Sequence, residues 1–230
     1  MPIKSDAHIS ALWVYPIKSL DGVQRERALV RPKAGLEHDR EFAIADENGR
    51  LVTAKRNVNL HHIEAAFSAS YQTVSLKNRG DGLEPETFDL HIGNAPLDDW
   101  LSDFLGQRVR LVQDAELGFP DEAYYSGPTI ISDESLQAVS QWFADWGPDK
   151  AIRRFRANIV LSTPTAFFED KLLPDSGSPV PNSSSASLYP APLHSSGVRC
   201  SSSRVGSPTR TISLTSTSAT ARVTAPSTSS

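Results

Sequence analysis

Between residues 8 and 115 apolar and polar positions alternate in short runs, the pattern of half-buried strands rather than of helices. His8–Ile17 is β-branched and aromatic until Pro16 breaks it. Glu41–Ala54 alternates around Phe42 and Ile44, passes Glu47-Asn48-Gly49, and resumes at Leu51 and Val52. Asn-Gly between two such runs predicts a hairpin with a type I′ turn, which needs positive φ at both central residues. Thr73–Lys77, Thr87–Ile92 and Arg108–Val112 add short strands. One stretch keeps a different period: Leu97, Trp100, Leu101, Phe104 and Leu105 fall at i, i+3, i+4, i+7 and i+8, and Gly106 can close the helix they predict. Many short strands separated by turn signals suggest a barrel or a strongly curled sheet.

A second unit is expected to begin near Tyr124. Thr129–Ile131 reads as a strand, and Ser132 or Asp133 caps a helix carrying Leu136, Val139, Phe143 and Trp146, which Gly147-Pro148 should end. Ile159–Leu161 is a further apolar strand, introduced by Arg153-Arg154-Phe155-Arg156-Ala157-Asn158. If that introduction is extended, Arg154, Arg156 and Asn158 point the same way. The fold class is therefore mainly β with a few helices, α+β.

Composition changes this picture at one place. From Ser176 to Ser230 there is no Asp, Glu or Lys, and 25 of those 55 residues are Ser or Thr. The whole chain carries −4, so residues 1–175 carry −8. A segment so poor in apolar residues cannot offset chain entropy of roughly 1–2 kcal/mol per residue, and the tail is expected to be disordered. Three origins fit it: a natural Ser/Thr-rich tail, a modified stalk, or an out-of-frame reading in which serine codons replace apolar ones.

Several classes fall away. No apolar window approaches the ~18 residues of a membrane span, and the start lacks the basic and apolar regions of a secretory signal. One cysteine, Cys200, leaves no disulfide framework, Cys-rich zinc site or four-cysteine iron–sulfur cluster within the chain. A pI near 5.9 argues against a general nucleic-acid binder. The cytoplasm is the default compartment, with association with mitochondria left open.

The candidate chemistry is basic and polar. In Tyr15-Pro16-Ile17-Lys18-Ser19 the proline ends a strand, so a cation and a hydroxyl sit at its exit, where they can meet a phosphate or stand in a solvated turn. His38-Asp39-Arg40-Glu41 offers a second cation, or a surface ion pair. Arg154, Arg156 and Asn158 combine guanidinium forks with an amide, a set suited to phosphate or to pairing with nearby acids. Ser132 is first a helix cap. His61-His62 lacks a second pair at metal spacing, and Cys200 is a soft-metal ligand or an inert thiol.

In order along the chain, Val14-Tyr15-Pro16-Ile17-Lys18-Ser19, Asp39-Arg40-Glu41-Phe42 and Leu51-Val52-Thr53-Ala54-Lys55 resemble the N-terminal β-barrel domain that precedes MOSC domains. Ile131-Ser132-Asp133-Glu134-Ser135-Leu136, Arg154-Phe155-Arg156-Ala157-Asn158-Ile159-Val160 and Phe168-Glu169-Asp170 are similar to the opening of the MOSC domain itself. The family includes the mitochondrial amidoxime-reducing components and the C-terminal part of molybdenum-cofactor sulfurases. The resemblance implies a molybdenum cofactor whose pterin and phosphate are held by Lys18, Ser19 and Arg40 from the first domain and by Ser132, Arg156 and Asn158 from the second, with Arg154 also matching the motif. It implies reduction of an N-hydroxylated small-molecule substrate by oxygen-atom transfer, with electrons from a separate protein. The metal-ligand cysteine is sought in an Arg-Cys segment; here Arg199-Cys200 lies in a tail without the family's continuation, and Ala157 replaces the family's proline.

The expected organisation is an N-terminal β-barrel domain over residues 1–118, a partial MOSC β-barrel over 119–173, and a low-complexity tail over 174–230. With that tail, half of the second core and the metal ligand would be missing and the chain would be inactive. Two other readings stay open: a non-catalytic module that binds a phosphate- or pterin-bearing ligand, and a sulfur carrier using a persulfide on Cys200.

Overall fold

The computed structural model describes residues 8–31, 35–121, 127–172 and 221–224. The strands are β1 (His8–Val14), β2 (Val23–Arg25), β3 (Arg27–Val30), β4 (Phe42–Asp46), β5 (Ile63–Phe67), β6 (Thr73–Asn78), β7 (Glu86–Asp89), β8 (Val109–Gln113), β9 (Ile130–Ser132), β10 (Ile159–Ser162) and β11 (Ala221–Thr224). Among the described residues three α-helices accompany them: α1 (Ala95–Leu105), α2 (Asp133–Ser140) and α3 (Pro148–Phe155). The mainly β, α+β class read from the sequence is the class observed.

The chain forms two compact units. Of the described residues, the first takes those within 14–23 and 37–124, and the second takes the others.

In the first unit β4 pairs with β8, and β5, β6 and β7 form an antiparallel sheet of three. Helix α1 buries Leu97, Leu101 and Leu105 in the same core as Ile44, Ile63, Val74, Leu76, Val109 and Leu111. Each such leucine contributes about 1.5–3 kcal/mol by leaving water. The helix stops at Gly106, whose φ of 67° is the left-handed cap that glycine adopts without strain. The expected barrel is not closed: among the described residues the strands divide into sheets of two, three and four. At four to six residues each in this unit, the strands cover one face of α1 without returning on themselves.

The hairpin forms where Asn48-Gly49 predicts it, with a different turn. Gly49 donates to the Asp46 carbonyl and Asp46 donates to the Arg50 carbonyl, and of the two central residues only Gly49, at φ 76°, has positive φ. This is a type I turn followed by a left-handed glycine, the usual three-residue loop. The returning arm is a single bridge, Ala45 to Leu51, beside which Val52 donates to the Ile44 carbonyl at 2.8 Å.

In the second unit the sheet order is β2-β1-β10-β9, with β1 antiparallel and β9 parallel to β10. A bulge between Ile9 and Ala11 shifts the register, which puts Ile9 and Leu12 on one face although they are three apart. They pack with Ile130, Ile159 and Leu161, while Val160 and Ile131 face the other way onto Leu136, Ile152 and Ala157. A separate two-stranded ladder joins β11 to β3.

Two sequence expectations change here. The helix after Ser132 ends at Ser140 rather than at Trp146, and Gly147-Pro148 opens α3 instead of closing α2. Proline suits the first turn of a helix, where its missing N–H goes unused. The segment read as the approach to a strand, Arg153–Phe155, is therefore the last turn of α3, and Arg156 is its left-handed cap at φ 54°. Arg154, Arg156 and Asn158 do not share a strand face. No helix among the described residues is long and apolar enough to cross a membrane.

Candidate functional site

The first unit knits three sequence motifs together. Residues 15–18 run beside 39–42 through a parallel bridge between Ile17 and Phe42. Arg40 donates to the Tyr15 carbonyl at 2.7 Å, Phe42 to the Pro16 carbonyl at 2.9 Å, and Lys18 to the Phe42 carbonyl at 2.8 Å. Asp39 locks the crossing, accepting from the Tyr15 N–H at 2.9 Å and from the Arg40 guanidinium. The third motif joins when the Ser19 hydroxyl accepts from the Ala54 N–H at 3.2 Å, with Ser19 itself left-handed at φ 73°.

Two lysines meet at the Asp121 carboxylate, and Arg40, paired with Asp39, adds its field. The Lys18 ammonium donates to the carbonyls of Phe119 (2.8 Å) and Pro120 (3.0 Å) and to Asp121 Oδ1 (2.7 Å), which uses its three protons. Lys55 approaches the other oxygen of Asp121 at 3.7 Å. Partial burial pushes the Asp121 carboxyl up, but the contact with Lys18 and the fields of Lys55 and Arg40 outweigh it and hold the pKa below the usual carboxylate range. Arg40 is also largely covered and lies over the Tyr15 ring at 5.4 Å. Burial would lower its pKa, yet the pairing with Asp39 raises it, so the guanidinium stays charged.

The strap that reaches Lys18 depends on Gly118. Its φ is 67°, and a Cβ there would come within 3.0 Å of the carbonyl oxygens of Asp39 and Arg40. Phe119 then donates to the Arg40 carbonyl at 2.8 Å.

The remaining described candidates lie in the second unit. Asn158 is fully buried; its Oδ1 accepts from the Thr129 N–H (3.1 Å) and hydroxyl (3.2 Å), and its Nδ2 donates to the Trp13 carbonyl at 3.1 Å. It ties together the strands β1, β9 and β10. Ser132, also fully buried, caps α2 by accepting from the Ser135 N–H at 3.1 Å and shares a hydrogen bond with the Ser135 hydroxyl at 2.6 Å. Arg154 is exposed on α3, and Arg156 is partly buried at its end. Cys200 lies outside the described residues. Among those residues no group of three or more His, Cys, Asp or Glu side chains could hold a metal.

The sequence did not single out Asp121 or Gly118, and it placed Glu169 in a motif without a role. Glu169 is buried beside the α2 cap, where one oxygen accepts from the Ser132 N–H at 3.3 Å and the other has no hydrogen-bond partner. A buried acceptor left unpaired costs about 1–3 kcal/mol, and it is matched chemically by a ligand bearing N–H groups.

Residues 6–108 match the MOSC N-terminal beta barrel domain. That domain contains the three knitted motifs of the first unit. The chain is also similar to a molybdenum cofactor sulfurase of Danio rerio, 24% identical over 72% of this chain and 25% of that protein. It is 26% identical to the molybdenum cofactor sulfurase of Drosophila mojavensis, over 69% of this chain and 24% of that protein. With mitochondrial amidoxime-reducing component 1 of Homo sapiens the identity is 27%, over 70% of this chain and 58% of that protein. The chain thus spans about a quarter of the sulfurases and just over half of the amidoxime-reducing component. These relatives support a function connected with the molybdenum cofactor.

Proposed function

We propose that this chain binds the molybdenum cofactor through its pterin phosphate and acts as an oxidoreductase that reduces N-hydroxylated small molecules by oxygen-atom transfer. The observation that carries the reading is the meeting of Lys18 and Lys55 at the Asp121 carboxylate, which the field of Arg40, itself paired with Asp39, also reaches. A phosphate has the charge and the acceptor oxygens to replace that carboxylate, and low exposure of Lys18 strengthens such a contact.

The donor set fits the group in part. Lys18 and Arg40 anchor the phosphate; Ser19, Ser132, Arg154, Arg156 and Asn158 are the further positions that the resemblance assigns to the cofactor, the arginines toward its phosphate and the hydroxyls and amide toward its ring system. Of these, Ser132 and Asn158 already hold backbone together, so they act by positioning. When bound, the cofactor supplies the two-electron couple for oxygen-atom transfer, and a separate protein supplies the electrons.

The names of the relatives also favour a second reading, sulfur transfer, in which Cys200 carries a persulfide. The test is a reductase assay on the purified full chain, with an N-hydroxylated amidine as substrate and reduced methyl viologen as donor. Turnover proportional to molybdenum content supports the oxidoreductase. A molybdenum-loaded chain that reduces nothing, but whose sulfur transfer is lost in Cys200→Ser, overturns it in favour of the carrier.

A further inference from the structure

The first unit contains a cavity of about 450 Å³ whose lining residues do not include Lys18, Arg40 or Lys55. Its chemistry is the reverse of the cation cluster. Pro16, Phe42 and Leu90 supply buried apolar surface, and His38 and Tyr71 bring two rings whose centroids are 4.5 Å apart. Both ring-bearing residues sit in left-handed backbone, at φ 63° and 58°. Such conformations cost roughly 1–3 kcal/mol and persist only where surrounding structure enforces them.

The enforcement is visible at His38. Its Nδ1 lies 2.7 Å from Oε2 of the buried Glu41, and Oε1 of Glu41 accepts from Gln113 Nε2 at 2.7 Å. A carboxylate only accepts, so Nδ1 carries the proton of the pair, and the tautomer that the pair selects has Nε2 as the ring's acceptor. Nε2 has no partner among the described residues. Asp89 adds an exposed carboxylate at the cavity, and no lysine or arginine lines it.

We propose that this cavity binds a primary ammonium group carried on a short aromatic or apolar stem. The ammonium has three donors and a positive charge; the lining brings together the His38 imidazole, the Asp89 carboxylate and the Tyr71 ring, groups favourable to such a cation. The stem lies against Pro16, Phe42 and Leu90. The inference is independent of cofactor binding, since it uses none of the residues assigned to the phosphate.

The test is a titration of the full chain with benzylamine, benzyl alcohol and benzoate, which share a stem and differ in charge, followed by 1H–15N and histidine-ring NMR. Benzylamine is expected to saturate and to shift the signals of His38 and Tyr71, whereas the alcohol and the acid do not. Two variants sharpen it. Asp89→Asn removes the charge at an exposed position, and His38→Asn removes the imidazole while tolerating left-handed backbone. Loss of one charge-assisted contact is expected to weaken benzylamine about tenfold in each, with spectra unchanged away from the cavity. Equal binding of benzoate or benzyl alcohol, undiminished binding in both variants, or no saturable shift with any of the three overturns the proposal.

Discussion

Lys18 and Asp121, 103 residues apart, form an ion pair of 2.7 Å between unequal partners: the lysine side chain is 9% exposed and the aspartate 63%. The pair is therefore lopsided in energy. Lys18 also serves two backbone carbonyls, so Lys18→Met strands both of them and is expected to cost about 2–3 kcal/mol. Asp121→Asn leaves a water-exposed end and is expected to change stability by less than about 1 kcal/mol. Urea unfolding of the two variants checks the asymmetry. The same aspartate variant should bind inorganic phosphate more tightly than the wild type, because a competing anion has been removed.

Asn158 makes the opposite case, a polar residue used up by the fold. Asn158→Ala is expected to lose about 3 kcal/mol, since three hydrogen bonds vanish in a fully buried place. Asn158→Asp should be nearly as damaging, because a carboxylate cannot donate to the Trp13 carbonyl. Chemical denaturation reads both, and a loss below about 1 kcal/mol in the alanine variant would mean that the network is not a structural tie.

Arg156 separates the side chain from the backbone. Its φ of 54° at the end of α3 suits glycine, which avoids the roughly 1 kcal/mol or more that a Cβ costs there. Arg156→Gly is thus expected to have a higher thermal midpoint than Arg156→Ala, which loses the same side chain but keeps the Cβ. If the guanidinium serves an anionic ligand, cofactor content falls in the same variant. Unchanged content together with unchanged stability would remove Arg156 from the binding set.

Much of the fold was legible because it is written in local patterns. The α1 stripe, the β4 turn and β10 follow from neighbours a few residues apart. Pro148 misled because proline marks both the end of one helix and the first turn of the next, and a short connection between α2 and α3 leaves no further signal. The cation cluster was legible only in pieces. Lys18 and Arg40 stand out in their motifs, but the bridge from Ile17 to Phe42 that aligns them and the arrival of Asp121 are long-range packing outcomes. Glu169 was visible as part of a motif, yet nothing local says that one of its oxygens is buried without a partner.

The acid side of stability should be governed in part by Glu134. A hydrogen bond from Asp133 and others from the Thr163 N–H and hydroxyl hold its pKa down at about 2, while burial and the Glu134 charge push Asp133 up. A depressed carboxyl stabilises the fold above its ordinary value near 4.5 and loses that contribution as pH falls towards about 2. The raised Asp133 has the opposite sign, favouring the fold while protonated and giving that up as pH rises through its shifted value. Glu134→Gln is expected to flatten the decline of stability below pH 4.5. A profile as steep as that of the wild type would place the acid sensitivity elsewhere.

The central claim is that this chain holds a molybdenum cofactor by its phosphate. The direct measurement is molybdenum by mass spectrometry and pterin by fluorescence of its oxidised form, on the full chain purified from a host that makes the cofactor. The account predicts molybdenum and pterin in equal amounts, with both reduced in Lys18→Met and Arg40→Gln at protein levels matched for folded material. A folded wild-type chain that carries neither would contradict it.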